Sequence, residues 1–104
     1  MAEGMQQRLS PKIWLVEDDP GHARLIEKNL LRAAPVAKVD VFPDGAAFID
    51  FLDECMHRAV SFAQTVILLD LHLPVLNGFQ VLEKLQANAI LKYIPVIILT
   101  TSDN

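Results

Sequence analysis

Three clusters of oxygen-bearing side chains stand where apolar runs end. Glu17-Asp18-Asp19 follows Ile13-Trp14-Leu15-Val16, Asp70 follows Val66-Ile67-Leu68-Leu69, and Thr100-Thr101 follows Val96-Ile97-Ile98-Leu99. Carboxylates gathered in one place repel and resist ionisation unless a cation neutralises them. A small all-oxygen ligand set suits Mg2+, which keeps several waters and commonly shares a phosphate oxygen. A carboxylate at the end of a central strand can itself attack phosphorus and form an acyl phosphate. Asp70 is placed for that role, and the Thr100 hydroxyl for donating to a phosphoryl oxygen. The three clusters therefore predict a Mg2+-assisted phosphoryl acceptor, provided that folding brings them together.

The elements that would do so are legible in the pattern. Apolar runs of four or five residues separated by helical periodicity read as buried parallel strands, and ligands of open parallel sheets gather at the carboxyl ends of the strands. Strands are predicted over residues 12–16, 37–42, 65–69 and 96–99. Helices are predicted over residues 20–34 and 46–59 and after Asn77. The first helix carries an apolar stripe of Ala23, Ile26, Leu30 and Ala33, and the third is expected to turn Phe79, Leu82 and Leu85 to the core. Asp19, Asp44 and Asn77 are the expected caps, with Pro20 in the first turn of helix one. The second strand alternates polar and apolar residues, as suits a sheet edge. Strand and helix in alternation make an α/β domain.

A chain of 104 residues allows one small domain, and its high apolar content excludes a disordered chain. The net charge of −4, with lysines and arginines scattered, gives no basic footprint for nucleic acid. No run approaches the roughly 20 apolar residues of a membrane span, and the first ten residues lack a signal-peptide core. The reading is a loose tail over residues 1–10, a domain over residues 11–104, and a cytoplasmic location. Cys55, alone, excludes an internal disulfide and falls on an apolar helix face. Trp14 is expected in the core, His22 and His57 in solvent, His72 at the rim of the site, and Tyr93 packed at a loop.

The chain resembles the receiver domain of two-component response regulators over essentially its whole ordered length. The resemblance is carried by Leu15-Val16-Glu17-Asp18-Asp19, by Leu68-Leu69-Asp70-Leu71-His72-Leu73-Pro74, by Asn77-Gly78, and by Pro95-Val96-Ile97-Ile98-Leu99-Thr100-Thr101-Ser102. It implies a flavodoxin-like three-layer sandwich with a parallel sheet in the order 2-1-3-4. It also implies that Asp70 is the phosphoacceptor and that Asp18, Glu17 (through water), Asp70 and the backbone carbonyl of His72 hold Mg2+. Thr100 would be the switch hydroxyl, while the side chains of His72 and Ser102 would tune hydrolysis of the acyl phosphate. The implied partner is a sensor histidine kinase, and the chain would be a phosphoacceptor rather than an enzyme. Residues 56–64 and Leu91-Lys92-Tyr93-Ile94-Pro95 are similar to the stand-alone regulators of phytochrome-type kinases.

A whole receiver continues with a further helix-strand-helix segment, including a lysine near the phosphate. The sequence given stops before it, so the expectation is an incomplete receiver that associates with itself through an uncovered fourth strand. Two other functions share parts of the pattern. One is an interaction module that keeps the look of the site without its phosphorylation. The other is a Mg2+-dependent phosphohydrolase, which commonly wants a second carboxylate two residues after the nucleophile, where this chain has His72.

Overall fold

The computed structural model describes residues 10–99. In chain order these form β1 (Lys12–Val16), α1 (Pro20–Ala33), β2 (Lys38–Phe42), α2 (Gly45–His57), β3 (Thr65–Asp70), α3 (Gly78–Ala87), a 3-10 turn (Leu91–Tyr93) and β4 (Val96–Leu99). The strands are all parallel and lie in the order β2-β1-β3-β4, as the resemblance implies. Alternation along β1 and β3 divides the core between the two faces of the sheet. Ile13, Leu15 and Leu68 face α1, where Ala23, Ile26 and Leu30 meet them. Trp14, Val16, Ile67 and Leu69 face α2 and α3, packed with Phe48, Leu52, Val81 and Leu85.

Trp14 is the centre of that second layer, as its place in β1 predicts. Its ring stands edge-on to Phe51 at 5.1 Å and to Phe62 at 5.9 Å between centroids, contacts each worth about 0.5–1.5 kcal/mol beyond their buried area. Cys55 is buried, and burial pushes its thiol above the ordinary range.

Helix ends obey local chemistry more closely than the periodicity suggests. Asp19 Oδ1 accepts from the backbone N–H groups of Gly21 and His22, and Asp44 Oδ1 from Ala47. Asn77 and Gln80 form a reciprocal capping box. The second helix was expected to reach residue 59 but ends at His57. There Ala59 takes a positive φ of 53°, Val60 N–H reaches Cys55 C=O, and Ala59 N–H reaches Met56 C=O. This is a Schellman stop built without glycine.

Four side chains depart from expectation. Phe79 is 64% exposed, and Val81 is buried in its stead. A Cβ on Gly78 would lie 2.5 Å from both the Asp70 carbonyl oxygen and Leu71 Cα. The bare backbone of Gly78 is therefore pressed onto the end of β3, which turns Gly78, Val81 and Leu85 inward together. Tyr93 is exposed rather than packed, with the Lys92 ammonium 5.2 Å from its ring centroid. Ala33 is exposed, while Leu31 of α1 and Ala34, the residue that caps its end, pack against the same layer. His22 is half-buried rather than solvated, and it lies against Glu17.

Candidate metal centre

Strand register creates the site. Val16 is paired with Leu69 across β1 and β3, so the next residue on each strand, Glu17 and Asp70, emerges at the same end of the sheet. Glu17 is kept in line with β1 by its backbone N–H, which donates to the Phe42 carbonyl at 3.0 Å. Asp70 is the last residue of β3, paired with Leu99 of β4. Its carboxylate Oδ1 accepts from the His72 backbone N–H at 2.9 Å, which turns the chain away from the strand.

Glu17, Asp18 and Asp70 each present a carboxylate oxygen, and these oxygens lie within 4.8 Å of one another. Glu17 and Asp70 are buried and Asp18 is exposed, so the cluster opens to solvent on one side. Thr100 follows Leu99 and lies outside the described residues. His72 is exposed at the rim, as expected, while His57 is exposed on α2. Asp19 belongs to the cap of α1 and is not one of the three converging carboxylates.

Glu17 carries the electrostatic signature of the site. Burial raises its carboxyl above the ordinary value, and the charge of Asp70 pushes in the same direction. The Asp19 backbone N–H and His22 pull it back. Its Oε2 accepts from Asp19 N–H at 3.2 Å. Its Oε1, on a residue only 3% exposed, has no hydrogen-bond partner. His22 Nδ1 is 3.0 Å from that oxygen, a contact that becomes an ion pair when the imidazole is charged. Three carboxylate oxygens within 4.8 Å of one another, two of them on buried residues, repel unless a cation neutralises them and suit a divalent ion, for which a hard oxygen donor set is appropriate. The residues present therefore fit a hard metal ion.

Sequence reasoning found the three carboxylates but missed His22. The signal was available: an aspartate cap followed by proline folds the first turn of α1 back over the end of β1, and His22 lies in that turn.

Comparison with known proteins agrees with this geometry. Residues 13–104 match the response regulator receiver domain family. Response regulator Rcp1 of Synechocystis sp. is 38% identical over 92 residues, which is 88% of this chain and 63% of that protein. The chain thus spans under two thirds of this relative's length. The crystal structure of the phosphorylated cyanobacterial phytochrome response regulator RcpA superposes with a TM-score of 0.78 at 36% identity, covering 91% of this chain and 68% of that one. The Mn2+-bound form of Rcp1 superposes with a TM-score of 0.76 at 37% identity, covering 90% and 68%. The parallel sheet, the converging carboxylates and these likenesses together place the chain in the response regulator receiver domain family of signalling proteins.

Proposed function

We propose that this chain accepts a phosphoryl group on Asp70 from a phosphohistidine of a sensor histidine kinase, in a Mg2+-dependent reaction, and changes conformation to signal. The observation that carries this reading is the meeting of Glu17, Asp18 and Asp70 within 4.8 Å at the ends of two central strands. In the transfer, a carboxylate oxygen of Asp70 attacks phosphorus, the phosphorus–nitrogen bond breaks, and its electron pair returns to the imidazole. The product is an acyl phosphate. Asp70 is held for attack by the His72 backbone N–H on Oδ1, which leaves its other oxygen for phosphorus. Asp18, Glu17, Asp70 and the backbone carbonyl of His72 would hold Mg2+, which when bound supplies positive charge that screens the carboxylates from the incoming phosphoryl oxygens. The Thr100 hydroxyl would donate to one of those oxygens.

The phytochrome-type kinases are the proposed partner class, because relatives of this chain include a phytochrome response regulator. A cytoplasmic setting follows from that partner. Among the described residues no helix is long and apolar enough to cross a membrane. Neither the charge nor the surface favours nucleic acid. We further propose that copies associate through β4, since β4 is an edge strand among the described residues and Ile97 on it is 52% exposed.

The test is exposure of the chain to Mg2+ and beryllofluoride, an analogue of the phosphoryl group, with binding read by the fluorescence of Trp14. Saturable, metal-dependent binding that disappears in Asp70→Asn is expected. Absence of binding in the unsubstituted chain would favour an interaction module that no longer takes phosphate.

A further inference from the structure

Glu17 is gripped from two sides by the helix that follows it. Its Oε2 accepts from Asp19 N–H at 3.2 Å. The Asp19 side chain accepts from His22 N–H at 3.3 Å. The His22 ring returns to Glu17, with Nδ1 at 3.0 Å from Oε1. These three contacts close a ring that joins the buried carboxylate to the first turn of α1. Within it, Asp19 meets one oxygen of the carboxylate, Oε2, and His22 meets the other, Oε1. Asp18 and Asp70 meet Glu17 in the carboxylate cluster, while His22 stands at Oε1 from the first turn of α1.

We propose that His22 is a positioning residue for the metal site: by standing against Oε1 of Glu17 it holds that carboxylate in the orientation in which it faces the cation. The proposal rests on the reading of Glu17, Asp18 and Asp70 as the metal site. His22 does not touch the cation. It acts through Glu17, as groups behind a ligand commonly do in metal sites, where their removal typically lowers affinity about 10- to 100-fold. The imidazole side chain is 38% exposed, so the lower end of that range is expected. Alanine is well tolerated in a first helical turn, and the cap itself uses only the backbone of residue 22, so the fold should survive the change.

The experiment is isothermal titration calorimetry of Mg2+ into the full chain at one fixed pH, comparing the unsubstituted protein, His22→Ala and His22→Asn. The asparagine amide can place a donor near the position of Nδ1. His22→Ala is expected to weaken Mg2+ binding about tenfold, with His22→Asn recovering most of the loss and all three melting alike. In phosphorylation by acetyl phosphate, the apparent KM for Mg2+ should rise in His22→Ala, with the rate at saturating Mg2+ preserved. A purely structural role would instead lower that rate and the melting temperature together. His22→Ala binding Mg2+ as tightly as the unsubstituted chain, or more tightly, overturns the proposal, and so does failure of His22→Asn to restore affinity. If the unsubstituted chain binds no Mg2+, the metal reading itself fails, and it is recognised as a separate failure because no variant is needed to see it.

Discussion

At the residue scale, the site is a place where the fold accepts an unfavourable charge. Burial and Asp70 raise the carboxyl of Glu17 above its unfolded value, so ionising it costs more in the folded chain than in the unfolded one. In the metal-free protein this cost is absent at low pH, where both states are protonated. It grows as pH rises past the unfolded value and is complete above the folded one. Glu17→Gln should therefore raise the melting temperature of the chelator-treated protein at neutral pH, and the gain should vanish in acid. With Mg2+ at a hundred times its dissociation constant the order should reverse, because binding then stabilises the unsubstituted chain by about 2.7 kcal/mol. Thermal melts of both proteins at several pH values, with and without Mg2+, measure this. The acidic residues were legible in the sequence because Glu17 and Asp70 stand directly after apolar runs, with Asp18 next to Glu17, and strand ends are where that pattern speaks most clearly. His22 was legible only through the cap, since Asp19 followed by Pro20 starts the helix close behind Glu17 and sets His22 in its first turn, whereas hydropathy counts it as one polar residue among others on a helix.

At the scale of elements, the segment between Asp70 and α3 is held by contacts rather than by propensity. Gly78 lies so close to the Asp70 carbonyl that any side chain there would collide with it, which fixes the rotation of α3 about its axis. That is why Phe79 could not be placed from sequence: Phe79, Val81, Leu82 and Leu85 are all apolar, and the choice among them is made by a single backbone contact. In the same segment Val75 has a φ of 65°, and Leu76 N–H donates to the Pro74 carbonyl at 2.7 Å. This is a tight three-residue turn that a β-branched side chain adopts only under strain. Val75 is 90% exposed, so replacing it with glycine forfeits no packing. Val75→Gly should stabilise the domain by about 1 kcal/mol, the relief of strain being partly offset by the freer unfolded chain. Urea denaturation should show a higher midpoint with an unchanged slope. The strands, by contrast, lie within a residue of where their apolar runs predicted, because a buried parallel strand leaves little choice of pattern.

At the scale of the molecule, two layers of apolar side chains clasp one sheet. The layer facing α1 thins toward β4, where Ile97 stands half in water beside its paired neighbour Leu68. If copies associate there, Ile97→Lys should abolish the assembly without lowering the melting temperature of the monomer. Light scattering after size-exclusion chromatography reads the mass, and a monomer at all concentrations in the unsubstituted chain would remove the idea. The order β2-β1-β3-β4 and the two-sided core followed from the alternation of strands and helices together with the resemblance to receivers. The pairing of Val16 with Leu69 has one more consequence. The two carboxylates that it brings abreast belong to opposite halves of the chain, and no local turn or hairpin can join them. Their meeting needs closure of a long loop, a non-local event that comes late and slowly in folding. A divalent ion added to a refolding chain should thus find its ligands only once the central strands have zipped. The arrival of metal affinity would then serve as a clock for the completion of the sheet.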